Sequence, residues 1–222
     1  MPPYAYIEND RFTEAATGRY EGSAFPKYIR KGPVAPGFDF TNCLDHLIDK
    51  ATRHIAERAR DNSAPFFLYL PLTAPHKPVL PHPRFRGKSG LGDYGDFVMQ
   101  VDGAIGRVDH AIEDAGITEN TLLIVTSDNG SFMYRAEAAP KSERPESGAD
   151  HVADASVQAY RPDHHRANFH FRGTKADVWD GGHHVVYLAK WPAKVAAGAV
   201  CDTPICHTDL LATCAETSGA VL

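Results

Sequence analysis

Two side chains that carry oxygen, Asp128 and Asn129, follow an apolar run and precede Gly130. The run, residues 121–127, is typical of a buried strand, and ligands of α/β sheets bind beyond the carboxyl ends of strands. Carboxylate and amide oxygens are hard ligands that suit Ca²⁺, with Mg²⁺ as the alternative. The pattern favours a metal site at this strand end, although a plain Asx turn fits the same residues.

Two other positions offer charge for an anion. His76 lies between Pro75 and Pro78, directly after the apolar run 65–71, and prolines stiffen a loop. Lys175 has a glycine nearby on each side, so its compact charge could approach an anionic oxygen. The chemistry indicated is the binding of a small oxyanion. For His76, an ordinary proline-rich loop remains the alternative.

The elements that must position these residues follow from apolar periodicity. Helices are predicted over residues 42–60 and 93–115, where apolar residues recur every three or four positions. The strands 66–71 and 121–127 flank the second helix, so the three form a predicted βαβ unit with parallel strands. The expected fold class is therefore α/β, with a mostly parallel sheet flanked by helices.

The rest of the chain is predicted in less detail. A strand is expected at 185–189, and a last helix at about 207–217 should place Leu210, Leu211 and Cys214 on its inner face. Residues 1–40, rich in Gly, Pro and Tyr, should form an extended surface segment. The polar stretch 131–168 is predicted to be a long loop over the site, because long irregular loops are usually functional or disordered.

Composition excludes several classes of function. The chain has 222 residues, is 43% hydrophobic and carries a net charge of −5, which provides no basic surface for nucleic acid. No apolar run is as long as a membrane span, and no secretory signal is visible at the N-terminus. Four cysteines without a CxxC pair argue against a disulfide scaffold and a zinc site. Localisation stays undetermined.

Three separated motifs together resemble the sulfatase family, and specifically its arylsulfatase members. They occur in the family's order: Ala74-Pro75-His76-x-Pro78, Ser127-Asp128-Asn129-Gly130, and Arg172-Gly173-x-Lys175 followed by Trp179-Asp180-Gly181-Gly182-His183. The stretches 2–9 and 207–213 are also similar to the family, so the resemblance covers nearly the whole chain. It implies an alkaline-phosphatase-like fold and the hydrolysis of a sulfuric ester.

The resemblance also implies roles for individual residues. In the family, a cysteine of a C-x-P-S-R motif is oxidised to formylglycine, whose hydrate attacks the sulfate sulfur, and Ca²⁺ holds the sulfate oxygens. Asp128 and Asn129 match half of that metal site. His76 matches the histidine near the ester oxygen, and Lys175 matches the lysine on the sulfate. A metal and fixed cations suit a transition state that carries negative charge.

The departures from the family pattern are equally specific. Cys43, Cys201, Cys206 and Cys214 all stand outside a C-x-P-S-R context, and the sequence has no Asp-Asp pair for the first half of the metal site. The whole chain, 1–222, is therefore interpreted as a partial catalytic domain, an incomplete fold that lacks the N-terminal part with the formylglycine. His184 and Val186 replace the Arg and Pro usual after Gly-Gly-His, which indicates altered packing or relaxed selection.

Three functions fit these observations. The first is a portion of a sulfatase that acts on a sulfate ester together with the missing N-terminal part of the same enzyme. The second is a non-catalytic remnant that binds an anion or a partner. The third, a phosphodiesterase or phosphatase of the same superfamily, is weaker, because the histidine pattern does not reproduce the further metal ligands of that branch.

Overall fold

The computed structural model describes residues 1–23, 29–131 and 165–220. The helices in these ranges are α1 (Cys43–Asp61), α2 (Gly92–Asp114), α3 (Asp180–His183) and α4 (Asp209–Ser218). The strands are β1 (Ile7–Glu8), β2 (Arg11–Phe12), β3 (Gly18–Tyr20), β4 (Gly32–Val34), β5 (Leu123–Thr126) and β6 (Tyr187–Lys190). The two long helices confirm the predicted ones almost to the residue.

The core lies where α1 and α2 pack against each other. Ile48 and Ile55 of α1 are buried, and so are Phe97 and Val108 of α2. Burial of each such side chain contributes about 1.5–3 kcal/mol. The apolar stripes predicted from helical spacing therefore form the main hydrophobic contact of the chain.

Three buried polar side chains join the two helices to the loop between them, and periodicity did not indicate them. Asp45 of α1 accepts hydrogen bonds from Gln100 (3.2 Å) and Arg107 (3.0 Å) of α2 and also pairs with Arg84. Asp96 of α2 accepts from the backbone N–H groups of two loop residues, Gly87 (2.6 Å) and Ser89 (2.8 Å). These bonds hold residues 81–90 on the surface of α2.

Residues 66–71, predicted as a strand, form no ladder with any strand among the described residues. Phe66, Leu68 and Leu70 pack on the helical core. The intervening Phe67 and Tyr69 are 77% and 76% exposed. This alternation is that of a strand with one covered face. A strand also needs a neighbour for its backbone groups, and the described part of the chain supplies none.

Among the described residues the predicted βαβ unit is not seen, because residues 66–71 join no ladder; the one partner of β5 there is β6, and that pair is antiparallel. The strand expected at 185–189 lies at Tyr187–Lys190. Lys190 fixes the pair on α2 by donating to Asp109 (2.7 Å) and Glu113 (2.9 Å). Every strand ladder in the described ranges is antiparallel, so a mostly parallel sheet is not visible within them.

The two ends of the chain differ in detail from expectation. Within residues 1–40, the described part forms two small antiparallel ladders, β1 with β2 and β3 with β4. An aromatic cluster supports them, in which Tyr4 contacts Phe38 and Phe40. In α4, Leu211 is 68% exposed, so its predicted inner position is wrong. Among the described residues, no helix has the length and apolar character needed to cross a bilayer.

We expect Asp96→Asn to lower the free energy of unfolding by about 1–3 kcal/mol near neutral pH, because one part-buried N–H loses its charged acceptor. Burial acts to raise the pKa of Asp96, but the hydrogen bonds from Ser89 and Gly87 outweigh it and hold the pKa below its usual range. The stabilisation is therefore complete above the unfolded pKa of about 3.9 and is lost as the pH falls through the lower folded pKa.

Urea denaturation as a function of pH measures this difference. The exposed Asp102→Asn on the same helix is the matched control and should show little change. A difference between the wild type and Asp96→Asn that persists unchanged at the acid end would contradict the prediction.

The exposed Phe67 and Tyr69 should drive self-association, since a segment with an exposed apolar face and no ladder partner is a template for another chain. The double substitution Phe67→Ser with Tyr69→Ser should shift the chain towards monomer in sedimentation velocity. The control pair is Val200→Ser with Ile205→Ser, which removes apolar side chains that are also exposed but lie elsewhere. Equal effects of the two pairs would refute a specific role for segment 66–70.

Candidate active site

The tip of β5 carries the predicted metal ligands. After Thr126, the Ser127 hydroxyl donates to the carbonyl of Asn129 (3.1 Å) and closes the turn. The Asp128 side chain is exposed, and Asn129 is half-buried. The turn of the alternative interpretation is therefore present, but a serine makes it, and the Asp128 carboxylate faces solvent.

Close backbone contacts lock this tip to the segment that carries Lys175. The Gly130 N–H donates to the carbonyl of Gly182 (2.9 Å), and the Gly181 N–H donates to that of Arg172 (2.8 Å). A Cβ on Gly130 would lie far inside contact distance of the Gly181 carbonyl oxygen, and one on Gly181 would meet the carbonyl oxygen of Gly173 in the same way. Glycine is required here because the backbones touch.

Lys175 lies on a tight turn beside the strand tip. Its backbone N–H donates to the carbonyl of Ser131 (3.2 Å). The preceding Thr174 is buried, and its backbone N–H donates to the Asp177 carboxylate (2.8 Å). Gly173 and Ala176 both have positive φ, +85° and +72°. The contacts therefore place the Lys175 turn against the loop that carries Asp128 and Asn129.

The first turn of α2 supports the same loop. The Tyr94 hydroxyl is 3.1 Å from the Ser131 hydroxyl. Burial raises the pKa of Tyr94, and the hydrogen bond to Ser131 offsets only part of that rise. Tyr94 is thus a neutral phenol at physiological pH. It ties α2 to the end of the strand-tip loop.

His76 lies in a separate, exposed loop, and the peptide bonds before Pro75 and Pro78 are cis. Its Nδ1 donates to the carbonyl of Lys77 (2.8 Å), because a carbonyl can only accept. This bond leaves Nε2 for a ligand. The loop is joined to α2 where the His82 N–H donates to the Gln100 side chain (2.8 Å). The meeting of His76 with Asp128 and Lys175 around one anion stays a prediction.

The donor set suits part of a Ca²⁺ site. Asp128 offers carboxylate oxygens and Asn129 an amide oxygen, whereas Ca²⁺ takes six to eight oxygens. Within the ranges that the structure describes, no three His, Cys, Asp or Glu side chains lie close enough together to hold a metal. The residues present fit as two ligands of a larger set.

Two groups of sequence predictions have different outcomes here. Residues 132–164 of the predicted loop over the site lie outside the described residues, so its role is not tested. His184, one of the departures from the family pattern, stacks on Phe171 with ring centroids 4.1 Å apart. That contact gives the substituted position a packing role.

Sequence reasoning missed two residues that hold the site together, Tyr94 and Asn168. The sequence pattern indicated only that Tyr94 belongs to a helix and that Asn168 ends a polar loop. Their hydrogen bonds to Ser131 depend on tertiary contacts across 37 residues. No local signal in the sequence marks either residue.

Comparison with known proteins decides the family. The family model described as Sulfatase matches residues 5–220. The chain belongs to the sulfatase family. The resemblance drawn from the three motifs is therefore confirmed.

Sulfatases from several sources are similar to the chain. An N-acetylgalactosamine-6-O-sulfatase of Bacteroides thetaiotaomicron is 34% identical over 151 residues, which are 68% of this chain and 26% of that protein. A steryl-sulfatase of Rattus norvegicus is 32% identical over 163 residues, 73% of this chain and 25% of the relative. An arylsulfatase of Hemicentrotus pulcherrimus is 30% identical over 195 residues, with shares of 88% and 30%. The chain thus spans about a quarter to a third of these relatives.

Solved structures agree with the alkaline-phosphatase-like fold expected of a sulfatase. One, described under the metabolism of multiple glycosaminoglycans by Bacteroides thetaiotaomicron, has a TM-score of 0.61 at 29% identity and covers 78% of this chain and 33% of that chain. The structure of Ps i-CgsB has a TM-score of 0.59 at 23% identity, over 89% of this chain and 37% of that chain. The second likeness concerns the fold alone.

We expect Gly130→Ala to destabilise the strand tip by about 1–3 kcal/mol, because the added methyl group overlaps the Gly181 carbonyl. Gly106→Ala in α2 is the control, since a Cβ there meets nothing within 4 Å. Alanine in a helix interior should stabilise by about 0.5–1 kcal/mol. Thermal unfolding of both variants gives the comparison. Equal stability of the two variants would be inconsistent with this contact.

Proposed function

We propose that the chain is a portion of an arylsulfatase-like sulfuric ester hydrolase. The observation that carries the proposal is the hydrogen bond from Lys175 N–H to Ser131, which joins the lysine turn to the loop of Asp128 and Asn129. A cation and two oxygen ligands held by rigid backbone contacts suit a bound sulfate group beside a metal ion. Family membership supports the same reaction class.

Each residue has a defined role in this proposal. Lys175 binds a sulfate oxygen and offsets the negative charge that develops there. His76 uses Nε2, the nitrogen not engaged by Lys77, to reach the ester oxygen and supply or hold a proton. Asp128 and Asn129 would hold Ca²⁺ together with ligands from elsewhere. When bound, that ion would polarise the sulfate oxygens.

The nucleophile is proposed to come from outside these 222 residues. The four cysteines lie in other sequence contexts than C-x-P-S-R, and the first half of the metal site has no Asp-Asp pair. The residues described above bind and orient an anion, but a covalent mechanism needs an activated nucleophile as well. The missing N-terminal part of the same enzyme is the proposed source, with formylglycine as the nucleophile.

The same part is proposed to complete a mostly parallel sheet. Segment 66–70 already has the alternation of a strand, with Phe67 and Tyr69 open on one side. Its neighbours in the sheet would pair its backbone and cover those rings. The proposal is supported by the length of the relatives, of which this chain spans 25–30%.

A non-catalytic remnant that binds an anion or a partner is the second candidate, because the same Lys175 turn could hold an anion without turnover. The DNA upstream of Met1 separates the two functions. An in-frame C-x-P-S-R motif and an Asp-Asp pair would support the hydrolase, and stop codons throughout would support the remnant. A phosphodiesterase or phosphatase remains the weakest candidate.

The chain alone should not hydrolyse an aryl sulfate faster than its Lys175→Ala variant, because positioning without a nucleophile does not give turnover. It should bind Ca²⁺ more weakly than about 10⁻⁴ M, since two ligands leave most of the coordination shell to water. A chromogenic aryl sulfate assay with Ca²⁺ and calorimetric titration measure these quantities. Turnover well above the variant would place a nucleophile within these residues.

In a protein completed with such an upstream region, Lys175→Ala should lower kcat/KM for an aryl sulfate by about 10²–10³-fold, as for the loss of one group that stabilises the transition state. The exposed Lys194→Ala is the matched control and should leave the rate unchanged. An unchanged kcat/KM in Lys175→Ala would overturn the proposed role.

A further inference from the structure

We propose that Asn168 is a positioning residue that sets the place of Lys175 relative to Asp128 and Asn129. Its side-chain amide bonds both backbone groups of Ser131: Oδ1 accepts from the Ser131 N–H (2.8 Å) and Nδ2 donates to the Ser131 carbonyl (2.9 Å). Nδ2 also donates to the Gly173 carbonyl (3.2 Å). One half-buried side chain thus connects the strand-tip loop with the start of the Lys175 turn.

The Ser131 carbonyl is the point where these contacts meet. It accepts from Nδ2 of Asn168 and also from the backbone N–H of Lys175. A Cβ built on Gly130 would lie 3.2 Å from Oδ1 of Asn168, so the amide also borders the glycine contact. A shift of Asn168 would therefore move the lysine turn and the loop of Asp128 and Asn129 relative to each other.

An amide of this length satisfies all three hydrogen bonds at once. The position needs one acceptor for an N–H and one donor for two carbonyl oxygens, which asparagine provides in the same plane. An ionised aspartate has the same shape but would direct a second negatively charged oxygen at the Ser131 and Gly173 carbonyls. Leucine has a similar size and can make none of the three bonds. The two substitutions therefore separate hydrogen bonding from shape and from charge.

We call the three hydrogen bonds of Asn168 to Ser131 and Gly173 the clamp. The effect of Asn168 on sulfate binding rests on the proposed function, whereas the clamp itself does not. The experiment therefore uses hydrogen exchange by mass spectrometry on the full chain, in the wild type and in Asn168→Leu, Asn168→Asp and His170→Asp. His170 is exposed and two positions away, so His170→Asp adds the same charge outside the clamp. Inorganic sulfate is titrated in the presence of Ca²⁺ at pH 7.5 and pH 4.5, and protection of the peptides is followed.

In both Asn168 variants at pH 7.5, peptides that contain Lys175 and Gly130 should exchange about tenfold faster, the change expected for about one net hydrogen bond. Peptides of α1 and α2 should keep their protection. Sulfate affinity should fall by a similar factor. At pH 4.5, Asn168→Asp should recover part of both quantities. The Ser131 and Gly173 carbonyls that face the new carboxyl group favour its protonated form, which regains a donor. Asn168→Leu should recover neither quantity.

Unchanged exchange at Lys175 and Gly130 in Asn168→Leu would overturn the inference. So would an equal loss of sulfate affinity in His170→Asp and Asn168→Asp combined with full affinity in Asn168→Leu, because charge alone would then be the cause. If the wild type binds no sulfate while the Asn168 variants lose protection, the clamp is supported, and the expectation that these 222 residues bind sulfate by themselves is overturned.

Discussion

The candidate site depends on the direct contact of two backbone segments, the strand-tip loop ending in Gly130 and the glycine-rich turn around Gly181. The contact leaves no room for a Cβ on Gly130, and a Cβ on Gly181 would meet the backbone of Arg172 and Gly173 within its own segment. The Gly130 N–H donates across the contact to the Gly182 carbonyl, and the Gly181 N–H donates to Arg172 within its own segment. Because both segments carry chemically active side chains just beside these glycines, the geometry of the site is set by peptide groups. The backbone contacts fix the relative position of the two segments, and the side chains add charge at those positions.

Helix α2 (Gly92–Asp114) holds the loops of the candidate site in place. Along its inner side, Tyr94 reaches Ser131, Asp96 holds the loop at residues 87–89, and Gln100 holds His82 and Asp45. A fully satisfied buried polar network costs little and fixes a single arrangement, whereas a broken one leaves unpaired groups in the core. The helix therefore aligns the His76 loop and the Asp128 loop through separate hydrogen bonds. Lys190 adds the β5–β6 pair to the same helix.

The sequence predicted those parts of the fold that depend on local pattern. Helices α1 and α2 follow from apolar periodicity, and β5 from a short apolar run. The spacing of apolar residues along the sequence indicates whether one face or both faces of an element are buried. Segment 66–71 carried an equally strong apolar signal, yet pairing depends on a neighbouring strand that spacing cannot supply. Asn168 was missed for a related reason: an amide that bridges two backbones becomes visible only once the chain has folded. The motif residues Asp128 and Lys175 were found because their chemistry, unlike that of Asn168, is recognisable from type and context.

The charges of the described site explain why it should act only as part of a larger one. Lys175 contributes one positive charge and Asp128 one negative charge, so together they give neither a metal nor a sulfate a strong net field. Asp128 is exposed and Lys175 half-buried. At high dielectric, two unit charges 4 Å apart interact by only about 1 kcal/mol, and the energy rises several-fold when water is excluded. Additional chain over the open side would therefore do two things at once. It would supply the missing ligands, and by removing water it would strengthen the interactions of the lysine and the carboxylate already held in place.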